Sequence, residues 1–246
     1  MDRGAVPQTA GKLRVMNLRF GAGLIASMIV AAPAVMRGQR PEVDPVAVSP
    51  DKYKVLLDNE SARVVEYSIN PGERDSSHTH PAKVSYVLSG GTLRISVDGS
   101  SFLSEEKRGE VIWRGSVPRH FAENTGTTPV RIVLFEVKRV ELPRVTPDKD
   151  PALVNPASIS VRLENDSVRV MEADLPPGFQ EKVHAHTPYV MYILNGGRVR
   201  IHGEDGSSRE AELKPGDVFF SDPVTHWAEN IGSSTVKILL VEIRRR

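Results

Sequence analysis

The 246-residue sequence contains no cysteine, which excludes disulfides, thiolate metal sites and cysteine nucleophiles together. It has almost no net charge: 32 basic residues against 31 acidic ones give +1, too weak a field to favour nucleic acid or an acidic membrane surface. Aromatic residues are scarce, at 6%, and no apolar run reaches the roughly 20 residues that a spanning helix needs. What is present is a 39% hydrophobic content, enough to build a core. Histidine is rare too, with seven in all, and the placement of those seven organises everything that follows.

The first 35 residues are a separate object. Lys12, Arg14 and Arg19 precede the apolar run Gly21 to Val35, which contains the small-residue pattern Ala32-Pro33-Ala34. Basic region, short apolar region and small-x-small site are the layout of a secretory signal peptide. The expectation is a signal segment at 1–35, cleaved after Ala34, and a periplasmic or secreted mature protein; an uncleaved N-terminal membrane anchor is the alternative. Met16 offers a second start just ahead of the run. Cleavage would remove Arg3, Lys12, Arg14, Arg19 and Asp2, leaving 28 basic against 30 acidic residues.

The remainder is an internal repeat. A shift of 106 residues lays Leu56 to Gly72 on Arg162 to Gly178, and His120 to Arg139 on His226 to Arg245. Between the copies lies a stretch with four prolines, Glu141 to Pro156, which marks a boundary. Two copies do not make a solenoid; they make two similar domains, at 52–140 and 158–246, with linkers at 36–51 and 141–157. Within each copy, short runs rich in Val, Ile, Leu and aromatics such as "ARVVEYSI" and "VRIVLFEV" alternate with Gly, Pro, Asn and Ser clusters. This is the pattern of an all-β sandwich or barrel.

The histidines now fall into place. His78, His80 and His120 of the first copy map onto His184, His186 and His226 of the second, and only His202 stands alone. On a strand, residues two apart share a face, so each H-x-H pair presents two imidazoles side by side. A third arrives from a later strand. Three imidazoles converging on one point make a metal site, since neutral imidazole suits Zn, Cu, Fe and Ni. One divalent transition metal per domain is therefore expected.

At these residues the chain resembles the cupin superfamily. Its first motif, Gly, H-x-H, Glu, Gly, is matched by Gly72, His78, His80 and Gly91, and again by Gly178, His184, His186 and Gly197. Its second motif is matched by Gly109, Pro118, His120 and Asn124, and by Gly216, Pro223, His226 and Asn230. The resemblance implies a bicupin: two tandem small jelly-roll barrels, each with a site inside. It says little about the reaction, because the superfamily spans dioxygenases, isomerases, decarboxylases, sugar-binding regulators and storage proteins. Val117 and Pro223 stand where the second motif has a glycine, so that turn is reshaped.

The larger departure is the missing carboxylate. The Glu of the first motif is replaced by Val84 or Ser85 in one copy and by Val190 or Met191 in the other. Glu66/Glu172, Glu123/Glu229 and Glu136/Glu242 recur and are the candidates for a substitute, against the alternative of solvated strand residues. A divalent metal on three neutral imidazoles keeps its full charge and favours an anionic ligand. Its open positions are the mark of a catalytic site. Without hard oxygen ligands, Mn and Mg lose appeal relative to Fe, Cu, Zn and Ni.

Tyr86 and Tyr192 lie two residues beyond Val84 and Val190. On a regular strand their phenols would point where the Glu would have been, as candidate catalytic groups; the alternative is an aromatic core position. Matched Trp113/Phe220 and Phe121/Trp227 fill the barrels or line a pocket. Asn124 and Asn230 serve turns. Arg63/Arg169 and Arg94/Arg200 would bind a substrate carboxylate if inward and are solvated if not.

Three functions fit. The leading expectation is a metal-dependent oxidoreductase, dioxygenase-like, acting on a small organic molecule, an anionic one suiting the site. The alternatives are a redox-neutral isomerase, lyase or hydrolase, and a non-catalytic module binding a small ligand or metal. No nucleic-acid partner is expected; a homo-oligomer is left open.

Overall fold

The valine- and isoleucine-rich runs pair as their alternation requires. A computed structural model of the protein describes residues 42–138 and 147–244. The expected signal segment at 1–35, residues 36–41 of the expected first linker and residues 141–146 of the second lie outside the described residues. Among the described residues no helix is long and apolar enough to cross a membrane.

The first half holds β1 (Tyr53–Asp58), β2 (Ala62–Ile69), β3 (His78–His80), β4 (Lys83–Ser89), β5 (Gly91–Val97), β6 (Ser100–Glu106), β7 (Val111–Arg114), β8 (Val117–Asn124) and β9 (Val130–Val137). The second half repeats them as β10 (Ile159–Glu164), β11 (Val168–Leu175), β12 (His184–His186), β13 (Tyr189–Asn195), β14 (Gly197–Gly203), β15 (Ser208–Leu213), β16 (Val218–Ser221), β17 (Val224–Asn230) and β18 (Val236–Ile243). Each half folds into a five-stranded and a four-stranded sheet, in the orders β1-β2-β9-β4-β7 and β3-β8-β5-β6, then β10-β11-β18-β13-β16 and β12-β17-β14-β15. Even the irregularity in the first hairpin repeats, at Val55/Leu57 and at Val161/Leu163. The all-β expectation of two tandem jelly-roll barrels therefore holds.

The five-stranded sheets bury both faces, and each face has its own job. Inward residues such as Val65, Tyr67, Leu93 and Leu134 fill the first barrel, and Met171, Val199, Ile238 and Leu240 fill the second. The opposite faces, with Val84, Tyr86, Val133 and Phe135 from one sheet and Val190, Tyr192, Leu239 and Val241 from the other, form one apolar cluster shared by the two barrels. This accounts for strands that are almost continuously apolar rather than alternating.

The stretches read as linkers are partly built into the barrels. Asp44 caps the short helix α1 (Pro45–Val48) through the Val46 N–H, and its carboxylate pairs with buried Arg63 at 3.1 Å. Asp150, 106 positions later, caps α2 (Pro151–Val154) and pairs with buried Arg169. A carboxylate that satisfies a buried guanidinium cannot leave cheaply, so these segments belong to the folded domains.

Asn124 and Asn230 are fully buried. The Asn124 side chain donates to the carbonyls of Ile69 and Thr128 and accepts from the Gly126 N–H. Asn230 does the same with Leu175, Ser234 and Gly232. The turn role expected for them extends to tying three chain segments together.

Candidate metal centres

Antiparallel pairing assembles each triad. β3 lies against β8 so that His78 is directly opposite His120, and β12 lies against β17 so that His184 is opposite His226. The second imidazole of each H-x-H follows on the same face. One nitrogen from each ring of His78, His80 and His120 lies within 4.8 Å of the others, and likewise for His184, His186 and His226. In the second copy the pairing runs on regularly to His186 and Val224, whereas in the first it slips, so that His80 faces Val117. The cause is one extra residue: eleven positions separate Gly109 from His120, but ten separate Gly216 from His226.

The rings are prepared to act as ligands. His78 Nδ1 donates to the Ser76 carbonyl at 2.7 Å, His120 Nδ1 to Pro118 at 2.8 Å, and His184 Nδ1 to Lys182 at 2.8 Å. Because a carbonyl only accepts, these contacts place the proton on Nδ1 and leave Nε2 with its lone pair. The Nε2 atoms of His78 and His80 approach to 3.0 Å. His226 Nε2 is buried with no partner among the described residues. Burial also holds all six rings below the ordinary imidazole range: His78 and His80 are lowered, His120 and His184 reach about 4, and His186 and His226 about 3. All six are thus neutral at pH 7, the form that binds a metal. Tied Nδ1 atoms, convergent lone pairs and an orphaned buried nitrogen fit a divalent transition metal in each barrel.

Each triad opens on a cavity, and the two cavities differ. The second, of about 610 Å³, is lined by all three histidines and by Ile159, Ala173, Met191, Phe219 and Phe220. The first, of about 350 Å³, is narrowed by Tyr53 and Tyr67, which occupy the positions of Ile159 and Ala173 and stack at 4.6 Å. The Tyr53 hydroxyl donates to Asp75 at 2.9 Å and lies 3.1 Å from His78 Nε2. Asp75 and its counterpart Glu181 each accept a backbone N–H from the third-histidine strand, at Ala122 and Ala228. With no tyrosine to cover it, Glu181 lines the larger cavity, and burial raises its carboxyl to about 7.

No recurring Glu joins a triad among the described residues. Glu242 instead backs one, lying 2.8 Å from His186 Nδ1, while Glu136 stays 3.6 Å from His80. Glu66 pairs with Arg131, Glu172 with Arg162 and Lys237, Glu123 with Arg94 and Glu229 with Arg200. Arg63 and Arg169 are buried but spent on Asp44, Glu136, Asp150 and Glu164, so none of the matched arginines faces a cavity. His202, the seventh histidine, stacks on Trp227 at 3.6 Å. Phe121 lies under the Arg74 guanidinium, Trp113 packs on the shared cluster, and Phe220 lines the larger cavity.

Tyr86 and Tyr192 are corrected. Both belong to the cluster between the barrels, on the face away from the histidines. Pro81-Ala82 and Thr187-Pro188 break the chain between the H-x-H strand and the next, so the inward parity changes from even to odd in one copy and likewise in the other. Lys83 and Ser85, and Tyr189 and Met191, are the inward residues of β4 and β13. Of the two positions available for the family's Glu, the cavity-facing ones hold Ser85 and Met191. Sequence reasoning missed Tyr53, Asp75, Lys83, Asn155, Glu181 and Tyr189. Asn155, which clamps Lys182 through both atoms of its amide, was within reach, because the 106-residue shift extends to it.

Residues 171–242 match the cupin domain family. No curated protein matches the chain. Among solved structures, AerE from Microcystis aeruginosa superposes with a TM-score of 0.54 over 82% of this chain and 97% of its own, at 17% identity. The Bacillus subtilis oxalate decarboxylase studied for its Mn(II) centres gives 0.53 over 80% and 76%, at 15% identity. A further oxalate decarboxylase structure gives 0.55 over 85% and 74%, also at 15% identity. At these identities the likeness is one of fold, and it spans both halves.

Proposed function

We propose that this bicupin is an exported metal-dependent oxidoreductase of dioxygenase type, with one redox-active divalent transition metal (Fe, Cu or Ni) in each barrel and a small organic substrate. The observation that carries the reading is the pair of triads: three uncharged imidazoles, all buried except half-buried His226, converge beside a cavity in each barrel, and no carboxylate joins them among the described residues. A metal bound there would supply Lewis acidity, open positions and, if redox-active, electron transfer to or from oxygen. The chain's own groups orient the rings, through Ser76, Pro118, Lys182 and Glu242, and surround the ligand with largely apolar walls. Both cavities lie within or near the volume range of small-molecule sites, which counts against a module collapsed around its histidines. The Mn(II) centres and the acid substrate named for the Bacillus enzyme support a metallocupin for small acids; the absent carboxylate is the reason to favour the other metals here. The test is metal identification followed by oxygen uptake on enolisable and phenolic substrates. Oxygen consumption by a redox-active metal form is expected, and tightly bound zinc without consumption would overturn the reading.

Export rests on residues 1–35: a secreted or periplasmic chain beginning at Val35, read by mass spectrometry, is expected, and a retained N-terminus would refute cleavage.

One observation favours a redox-neutral reaction in the second barrel. Glu181 faces the cavity with a carboxyl held near neutrality, as a general acid or base requires. Under that reading Glu181→Gln abolishes turnover with metal content unaltered; full turnover in Glu181→Gln would exclude it.

A further inference from the structure

The first cavity carries a charge arrangement that the histidines do not explain. Lys83 is only 4% exposed and lines the cavity, yet its ammonium has no hydrogen bond and no ion pair among the described residues. Its cross-strand partner on β7 is Arg114, which also lines the cavity and is also unpaired among the described residues. Like charges directly opposite each other destabilise a sheet, and burying one of them without a partner is costlier still. On the other side Lys83 faces Glu136, whose carboxylate is engaged at 3.5 Å by Arg63 and lies 3.6 Å from His80. The charged groups around Lys83 are therefore Arg114, Glu136 and, across the cavity, Glu106, whose carboxylate accepts from the Ser104 hydroxyl and makes no ion pair with Lys83. In the second barrel the same two positions are Tyr189 and Ser221, which are uncharged and cross-strand partners. The cationic pair thus belongs to one cavity only, and to the smaller one.

We propose that Lys83 and Arg114 form an anion-binding site in the first barrel that takes the carboxylate of a small organic acid, and that the second barrel, lacking the pair, takes a bulkier ligand. A carboxylate between the two cations would relieve their repulsion and give the Lys83 ammonium the partner it lacks. The volume of about 350 Å³ stands at the lower end of the range for small-molecule sites and suits a small acid. Burial, with Arg114 adding to it, holds the Lys83 amine down to about 7, so bound anion would also restore its full charge. The inference rests on reading the first cavity as a ligand site, but it does not require the metal.

The test uses acetate as probe and acetamide as its uncharged isostere, titrated by calorimetry into the full mature chain, both as isolated and after chelation. Acetate is expected to bind in both forms and acetamide in neither. Lys83→Met should weaken acetate at least about tenfold in both forms, as loss of a charged partner does, and Lys83→Arg should retain binding to within a few-fold. Lys83→Met should also melt higher than wild type without acetate and keep the metal content, which a merely structural lysine would not allow. Acetate affinity unaffected by Lys83→Met, or no binding to the chelated wild type, would overturn the anion site while leaving the metal reading intact. Acetate binding with no metal in the isolated protein would overturn the metal reading and leave the anion site standing.

Discussion

The two barrels share a plan and differ in what surrounds it. Both bring three neutral imidazoles together by placing a histidine directly across from the first residue of an H-x-H strand. Around that common centre the first barrel is narrow, capped by Tyr53 and Tyr67 and charged by Lys83, while the second is wide, walled by Ile159 and Ala173 and supplied with Glu181. The ring support differs as well. Glu242 reaches His186 Nδ1, whereas Glu136 falls short of His80 Nδ1 and leaves it unpartnered among the described residues. The two copies keep the donor set and differ in the pocket around it.

The comparison can be broken most forcibly at Tyr67. Tyr67→Ala installs the residue that the second barrel has at Ala173, and loss of a buried aromatic costs about 3–5 kcal/mol. Urea denaturation should show a loss of that order, with the metal retained. A loss below about 1 kcal/mol would mean that the tyrosine does not define the smaller cavity.

Ring support comes next. Glu242→Gln should weaken metal binding at the second triad by about 10–100-fold, the usual effect of removing a carboxylate behind a ligating histidine. Glu136→Gln should cost the first triad less, since its contact is already long. Equal losses in competitive chelator titrations would contradict the asymmetry.

The pH response of the metal-free protein follows from the same burial. The folded histidines titrate below the ordinary value of about 6.5, at about 4 for His120 and His184 and about 3 for His186 and His226. The unfolded chain therefore takes up more protons below pH 6.5, and the stability present above that pH is lost as pH falls through it toward 4 and 3. Glu181 and Glu242 act in the opposite sense. Their carboxyls, raised by burial from the ordinary 4.5 to about 7, contribute stability that is fully present below 4.5 and is lost as pH rises through 7. Thermal melts of chelated protein should drop between pH 6.5 and 4, and Glu181→Gln should steepen the drop by removing an opposing contribution. A flat profile would mean that the rings are not held neutral.

Much of this was legible in the sequence, and what was not has a physical cause. The 106-residue shift exposed the domains, the strand-rich halves and both triads, because a duplicated fold repeats its hydrophobic period and its ligands together. It failed at the cavity walls. Inward and outward positions alternate along one strand, but Pro81-Ala82 and Thr187-Pro188 reset that alternation, so reading on from His80 and His186 put Tyr86 and Tyr192 on the wrong face. Tyr53 and Tyr67 were invisible for another reason: they differ from their counterparts, and a repeat draws the eye to what matches. The smallest effect checks this correction directly. Tyr86→Phe and Tyr192→Phe, in the cluster between the barrels, should leave metal content and turnover unaltered; a fall in turnover would return them to the site.

The most direct test of the central claim is the metal content per chain of mature wild type, His78→Ala, His184→Ala and the double variant, by elemental analysis. Each single variant should lose the metal of its own barrel, the two losses should be independent, and the double variant should be metal-free. Unaltered metal in both single variants, or metal retained by the double variant, would contradict it.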